Sequence, residues 1–191
     1  MPRDRPLAPR AATPYISVRM TPPRVLLLAG SPSDLDLVLS CQETLDALEV
    51  SSEIRVQSAH RTPDAVTESA RGAEKAGFEV LIAFAGMAAH LAGVVAAHTR
   101  LPVIAVPISS GSFGGLDAAL ASLQMPPGVP VAAVAVDGSR NAALLAGRIL
   151  GLADPDLRDR VSRLAERERQ RYAPEKIEAE IAKRRQKRGG G

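Results

Sequence analysis

Residues 24–48, RVLLLAGSPSDLDLVLSCQETLDAL, place a short apolar run, a loop of small residues and an amphipathic segment in direct succession. The apolar run, residues 24–30, has the length and continuous hydrophobicity of a strand that is buried on both faces. From Asp34 to Leu48, leucine and valine recur every three or four residues, which predicts a helix. A buried strand followed by an amphipathic helix is the repeating unit of a parallel sheet covered by helices.

This strand-and-helix unit recurs along the chain. Further strands are predicted at 52–58, 78–86, 102–107 and 130–136, and the helices that follow them at 62–77, 88–99, 115–123 and 139–151. The second helix is expected to begin with the Thr62 hydroxyl as its N-cap and Pro63 in its first turn. The units predict an α/β fold with a three-layer, doubly wound parallel sheet, and right-handed crossovers favour the flavodoxin-like strand order 2-1-3-4-5.

The two ends of the chain differ from this central region in charge. The 191 residues carry a formal net charge of +3, yet residues 23–154 contain eight basic and thirteen acidic groups. Residues 1–22 are interpreted as a flexible leader, with both Met1 and Met20 as candidate starts. Residues 23–152 are expected to form the main, catalytic domain, and 153–191 a helical tail that packs on this domain or on a neighbouring subunit and ends in disorder. Anion binding by an acidic domain must depend on local groups, because there is no broad positive field.

Several classes of protein are disfavoured by composition. Cys41 is the only cysteine, so there is no internal disulfide framework, and no apolar run reaches the roughly 18 residues of a membrane span. The leader has no continuous apolar stretch of a secretory signal, which is consistent with a cytoplasmic protein. Glycine-rich dinucleotide and triphosphate loops are missing, and the three histidines show no metal-binding spacing.

The loops after the first two strands contain the most reactive side chains. In an open parallel sheet, ligands bind beyond the carboxyl ends of the strands. Residues 30–34, GSPSD, offer hydroxyls and free N–H groups at a helix start, which is typical either of an anion site or of a helix cap formed by Ser33 or Asp34. In the next loop, His60 can move a proton near neutral pH and Arg61 can bind a phosphate, although both could be ordinary surface residues.

The loops after the third and fourth strands are rich in small residues. Residues 85–91 allow the backbone to approach a ligand and hold a carboxylate, with His90 either in the pocket or buried as a structural histidine. His98 is expected only to place a favourable charge at a helix end. Residues 109–115 are interpreted as a flexible loop suited to a lid or to a close backbone approach, and the turn-rich segment 124–130 as a pocket wall or a simple connection.

Together and in this order, five motifs resemble those of the PurE family of de novo purine biosynthesis, over about residues 24–152. The motifs are GSPSD (30–34), SAHRTP (58–63), AGMAAHLAG (85–93), QMPPGVPV (124–131) and NAALLAGRIL (141–150). The resemblance implies an octameric enzyme that acts on a ribonucleotide and needs no metal or cofactor. It also implies no nucleic-acid or membrane partner.

The family contains two activities, and both are carried forward. Class I members move a carboxylate from N5 of N5-carboxyaminoimidazole ribonucleotide to ring carbon C4, whereas class II members carboxylate aminoimidazole ribonucleotide with free CO2. Class I is favoured, because class II members typically have lysine where Arg61 stands. A non-catalytic, flavodoxin-like nucleotide or flavin binder is the alternative from another class, although 3% aromatic residues argue against flavin stacking. Nucleic-acid binding by the basic tail is disfavoured because no aromatic platform accompanies it.

The resemblance also implies a role for individual residues. His60 is expected to be the proton shuttle, with His90 as the second catalytic residue. The ribonucleotide is expected to bind Ser31, Asp34 and Arg61, with help at the phosphate from Ser33 and Ser58. The migrating carboxylate is expected to lie against Ala85, Gly86, Ala89, His90 and Leu91. The chain departs from the family pattern in three places. Met87 replaces a usual glycine and Ala92 a usual proline beside the carboxylate pocket, which bears on the fit of that pocket. Ser109 and Ser110 stand where Val-Gln-Ser is usual, and the loop at 137–140 is about two residues shorter.

Overall fold

The computed structural model of the protein describes residues 24–189, so the predicted leader lies outside the described residues. Five parallel strands form one sheet: β1 Val25–Ala29, β2 Ser52–Val56, β3 Val80–Gly86, β4 Val103–Ile108 and β5 Ala132–Ala133. Their order is β2-β1-β3-β4-β5, which confirms the predicted topology. The order of the chain reverses at β1 and β3, and this is where an open parallel sheet forms a crevice.

Seven α-helices and two short 3-10 turns surround the sheet in the described part of the chain. The helices are α1 Leu35–Ala47, α2 Pro63–Gly72, α3 Leu91–Ala97, α4 Leu116–Leu123, α5 Ser139–Leu150, α6 Pro155–Gln170 and α7 Pro174–Gly189, and the turns are Pro32–Asp34 and Gly111–Phe113. Helices α1 and α5 pack on one face of the sheet, and α2 and α3 on the other. The protein therefore has the three layers that the sequence predicts.

Strand β1 shows why the strands are continuously apolar. All five of its side chains are fully buried. Leu27 packs into the cluster under α1 and α5, whereas Leu26 and Leu28 pack into the cluster under α2 and α3. Because successive side chains point to opposite faces, a strand that is covered on both faces must be apolar at every position.

Three element boundaries differ from the prediction. Strand β5 pairs through only two residues, because the chain leaves the ladder after Val134 and Asp137 has a left-handed φ of 57°. Helix α2 ends at Gly72, followed by a turn to Gly77, whose φ is 93°. Helix α3 begins at Leu91, since the positive φ of Met87 puts a turn before it.

The tail behaves as two different helices. In α6, Leu157 and Val161 are buried in the same cluster as α1 and α5, with Leu164 partly buried beside them. In α7, by contrast, Ile177 and Ile181 are 40% and 45% exposed. Within residues 24–189, no helix combines the length and hydrophobicity that crossing a bilayer requires.

Candidate active site

A pocket of about 230 Å³ opens at the carboxyl ends of the central strands. Its lining residues are Gly30, Ser31, Ser33, Asp34, Ser58, Ala59, His60, Arg61, Ala85, Gly86, Met87, Ala88, His90, Leu91 and Ser110. The structure thus brings together ten of the eleven side chains that the sequence singles out. The loops after β1, β2, β3 and β4 all contribute, so the pocket lies at the crevice where the chain order reverses.

Ala89 is the predicted site residue that the structure places elsewhere. Its side chain is 3% exposed and lines a separate pocket beside Gly93 and Met125. Its N–H donates to the carbonyl of Met87 at 2.9 Å, and its role at the migrating carboxylate stays a prediction. Ala89 lies between Met87, which has a positive φ, and the start of α3.

The loop after β1 is held by hydroxyl groups. Ser31 caps the 3-10 turn, since its Oγ accepts from the N–H of Ser33 at 3.3 Å. The Ser33 hydroxyl lies 2.9 Å from Ser31 Oγ and 3.1 Å from Asp34 Oδ1. Asp34 occupies the N-cap position of α1 but makes no capping hydrogen bond with its side chain. The loop therefore uses Ser31 as a cap and keeps Ser33 and Asp34 at the pocket.

Asp34 is only 9% exposed at the base of this loop. Burial raises its pKa, and the Ser33 hydroxyl, the Ser31 backbone N–H and the charge of Arg61 offset only part of that increase. A buried carboxylate with unused lone pairs is suited to accept hydrogen bonds from hydroxyl groups of a ligand.

The loop after β2 is closed by hydrogen bonds between its ends. Thr62 Oγ1 accepts from the N–H of Ser58 at 2.9 Å and donates to the carbonyl of Ser58 at 3.2 Å. Ser58 Oγ in turn accepts from the N–H and Nε of Arg61, both at 3.3 Å. Thr62 stands at the predicted N-cap position of α2, but its hydroxyl makes no capping hydrogen bond because it closes this loop instead.

Arg61 joins the two loops. Its Nη2 donates to the carbonyl of Gly30 at 3.2 Å. In the part of the chain that the structure describes, Arg61 forms no ion pair with a carboxylate. The remaining guanidinium N–H groups are therefore free to bind an anion at the mouth of the pocket.

His60 and His90 form a direct pair across the pocket. His60 Nε2 lies 2.8 Å from His90 Nδ1, and the rings meet edge to face with an interplanar angle of 71°. Only one of the two facing nitrogens can carry a proton, because two N–H groups would point at each other. The pair therefore holds one proton between its rings and at most one positive charge, which is suited to proton transfer.

One wall of the pocket is formed where the loop after β3 packs closely against the loop after β4. A Cβ on Gly86 would lie 2.0 Å from Ser110 Oγ, so any larger residue there would force the Ser110 side chain to move. Ser109 is held by Asp137, whose Oδ1 accepts from its N–H at 2.9 Å and whose Oδ2 accepts from its hydroxyl. The sequence places Ser110 in a loop but does not predict it as a pocket residue, although its position after β4 was the available signal.

Met87 has a strained backbone conformation. Its φ of 54° lies in the left-handed region, which favours glycine, the residue that the motif resemblance leads us to expect at this position. A non-glycine residue there costs roughly 1–2 kcal/mol. Its side chain is nevertheless 58% exposed and lines the pocket.

Two further groups lie outside this pocket. His98 ends α3 and lines a different pocket with Arg71 and Arg100. Cys41 is buried, and burial raises the pKa of its thiol to about 12, so the thiolate is not available as a nucleophile. Among residues 24–189, no three histidine, cysteine or acidic side chains are grouped closely enough to hold a metal ion.

Comparisons with known proteins identify the family of this chain. The AIR carboxylase family model matches residues 24–171, through the end of α6. A protein of Pyrococcus abyssi named N5-carboxyaminoimidazole ribonucleotide mutase is 48% identical over 149 residues, which cover 78% of this chain and 86% of that protein. A mutase of the same name from Mycobacterium tuberculosis is 51% identical over 146 residues, covering 74% of this chain and 84% of that protein. The crystal structure of Treponema denticola PurE superposes with a TM-score of 0.71 at 34% identity, covering 78% of this chain and 94% of that one. The chain belongs to the AIR carboxylase family.

Proposed function

We propose that the protein is an N5-carboxyaminoimidazole ribonucleotide mutase of purine biosynthesis, with His60 as its proton carrier. The names of relatives that share about half of their residues with this chain support the activity. The observation that carries the proposal is the His60–His90 pair, because it lies in the same pocket as the hydroxyl-rich loop 30–34 and Arg61. A proton carrier and an anion site in one crevice suit a reaction on a phosphorylated heterocycle.

The polar side of the pocket binds the ribonucleotide in this proposal. Arg61 and the hydroxyls of Ser31, Ser33 and Ser58 hold the phosphate, since cationic and hydroxyl donors favour phosphate oxygens. Asp34 accepts hydrogen bonds from the ribose hydroxyls, because a carboxylate accepts from hydroxyl groups but repels a phosphate. This arrangement presents the imidazole ring to the histidine pair.

In the proposed reaction, His60 first donates one proton to the substrate and later removes one from it. The N5–carboxyl bond breaks, CO2 is released, and the electron pair stays on N5, which takes a proton from His60. Ring carbon C4 then attacks CO2, and the new carbon–carbon bond leaves C4 with both its hydrogen and a carboxylate. His60 removes that hydrogen as a proton and restores the aromatic ring, so atoms and charge balance. His90 orients His60 through the 2.8 Å hydrogen bond.

The other wall of the pocket holds the carboxyl group while it migrates. Ala85, Gly86 and Leu91 supply small or apolar surface to this wall. Neutral CO2 is tolerated there better than a carboxylate, because transfer of a charge to an apolar site is costly. The wall therefore favours loss of the carboxylate charge.

A homo-oligomer, with an octamer as the form that the family resemblance implies, is part of the same proposal. Helix α4 exposes Leu116, Leu120 and Leu123, which recur at helical spacing and are 59%, 49% and 63% exposed. Phe113 just before them is 70% exposed. A contiguous apolar stripe of this kind is typical of a protein–protein interface. Leu120→Glu should reduce the molar mass measured by light scattering, whereas an unchanged mass would place the interface elsewhere.

The activity is tested by supplying two substrates separately. A mutase consumes N5-carboxyaminoimidazole ribonucleotide and forms the 4-carboxy product without added bicarbonate, metal or cofactor. A carboxylase of the second class instead consumes aminoimidazole ribonucleotide with bicarbonate at physiological concentrations. Rapid turnover of the second pair, with none of the first, would replace this proposal by the carboxylase, and turnover of neither would leave a binding protein.

A further inference from the structure

Met87 is the most unusual residue in the pocket. Its left-handed φ of 54° disfavours any side chain, yet the residue is methionine and its side chain reaches the pocket lining. Backbone strain at a pocket is kept only where surrounding structure holds it, and it often marks a functional group. The other described non-glycine residues with positive φ, Glu49 and Asp137, do not line this pocket.

The Met87 side chain bridges two loops. A Cβ built on Gly111 would be 3.5 Å from Met87 Cγ and 4.0 Å from its Sδ, so the thioether lies along the backbone of the loop after β4. Directly beside it, Gly86 and Ser110 pack so closely that a Cβ on Gly86 would displace the Ser110 hydroxyl. These two contacts fasten the loop after β3 to the loop after β4 along one side of the pocket.

The position of this bridge is chemically specific. Ala85, Ala88 and Leu91 line the same pocket as Met87, and Ser110 adds a hydroxyl beside Gly86. A long, flexible, apolar side chain fills irregular gaps well and excludes water without offering a strong hydrogen bond. Met87 thus adds apolar bulk to the wall that holds the migrating carboxyl group in the proposed reaction.

We propose that Met87 closes the CO2 side of the pocket and so determines how much of the released CO2 is recaptured at C4 rather than lost to solvent. This inference rests on the proposed mutase function. The Met87 side chain transfers no proton in the reaction. Its removal should therefore change the fraction of CO2 that is recaptured more than it changes the rate at which the N5–carboxyl bond breaks.

The test follows a labelled carboxyl group. The full-length enzyme is given N5-carboxyaminoimidazole ribonucleotide with a ¹³C carboxylate in buffer that contains unlabelled bicarbonate. Mass spectrometry then measures ¹³C in the 4-carboxy product and the amount of aminoimidazole ribonucleotide released. Met87→Gly and Met87→Ala should raise the ratio of released ribonucleotide to product roughly tenfold, the lower range for one missing apolar group in a pocket. Met87→Leu should retain most of the label, because it restores the bulk.

The variants separate the side chain from the backbone. Glycine relieves the positive φ, whereas alanine keeps the strain but removes the bulk, so equal label loss in both supports a role for the side chain. Label loss in glycine alone would assign the effect to the backbone and overturn the proposal, as would wild-type retention in both. Leu152→Ala, on a distant surface where Leu152 is 84% exposed, is the matched control and should behave as wild type. If the wild-type enzyme forms no 4-carboxy product at all, the proposed function fails instead.

Discussion

The two ends of the same sheet use their charged residues in opposite ways. At the amino end, Arg24 donates to Asp154 at 2.9 Å and to Glu79, and so joins the starts of β1, β3 and α6. At the carboxyl end, Arg61 has no ion-pair partner among the described residues, and Asp34 is buried with its pKa raised by burial. One end pairs its charges within the protein, whereas the other leaves them for a ligand.

The pKa shifts follow the same division. At the amino end, the Leu157 N–H and then the Arg24 side chain lower the pKa of Asp154, while hydrogen bonding to Glu79 raises the pKa of Arg24. At the carboxyl end, burial of Asp34 opposes its charge. Substitutions should therefore affect stability at one end and activity at the other, and the following four predictions test that separation.

Replacing His60 should have the largest effect. His60→Asn removes the proton carrier and should lower kcat by about 10²–10⁴-fold, the usual contribution of general acid–base catalysis. Steady-state kinetics measures this, and circular dichroism should show an unchanged fold because His60 is exposed at the pocket. His98→Asn, outside the pocket, is the control. Full turnover by His60→Asn would remove His60 from the mechanism.

Replacing Arg61 should mainly weaken substrate binding. Arg61→Met should raise KM by about tenfold to a hundredfold, because a hydrogen bond to a charged group contributes about 1.5–3 kcal/mol. Steady-state kinetics should show the rise in KM with a much smaller change in kcat. Arg100→Met is a suitable control, since Arg100 pairs with Glu74 on the surface. An unchanged KM would show that the phosphate does not bind Arg61.

Replacing Asp34 should stabilise the fold but weaken substrate binding. Because burial raises its pKa, the folded protein binds the proton more tightly than the unfolded chain, and the contribution of Asp34 to stability falls as pH rises. Asp34→Asn should therefore raise Tm at pH 7, and this gain should shrink as pH falls through the raised pKa of Asp34 and be lost below the unfolded value of about 3.9. KM should rise in the same variant.

The exposed Asp36 in the next turn provides the matched control for this experiment. Asp36→Asn should not raise Tm at pH 7. A lower Tm for Asp34→Asn at pH 7 would mean that the charged carboxylate stabilises the fold, and the distinction between the two ends would then be lost.

The smallest effect is expected at Arg24. Arg24→Met should lower Tm by about 2–4 °C and leave kcat and KM unchanged, since partly exposed ion pairs contribute little. Because the pKa of Asp154 is lowered in the fold, its stabilisation is present at neutral pH and is lost as pH falls through that lowered value. The Tm difference between Arg24→Met and wild type should therefore narrow in acid. A loss of activity would contradict the separation.

Most of the fold could be predicted because it depends on local patterns. Strand β1 is apolar at every position, and each strand is followed by a helical spacing, so topology rules led to the observed order. Strand β5 was too long in the prediction because the apolar run continues to Val136, whereas pairing with β4 ends at Ala133. Periodicity reports burial, and it does not report where a hydrogen-bonded ladder ends.

The site was predictable to the level of its loops but not of its contacts. The carboxyl ends of the strands identified the regions of Ser31, His60 and His90. That His60 and His90 share a hydrogen bond could not be predicted, because they are 30 residues apart and their distance depends on side-chain orientation. Ala89 was placed with the pocket residues because the sequence does not show the turn that the positive φ of Met87 creates.

The brevity of β5 also limits how copies of this chain can associate. Strand β5 pairs through only two residues, and the other outer strand, β2, carries Glu53 and Arg55, which form an ion pair. A short edge and a charged edge both discourage the addition of a strand from another molecule. Association of subunits should thus leave each sheet at five strands and proceed through helical surfaces. Such contacts do not use strand-to-strand hydrogen bonds, which hold the sheet together but also drive aggregation.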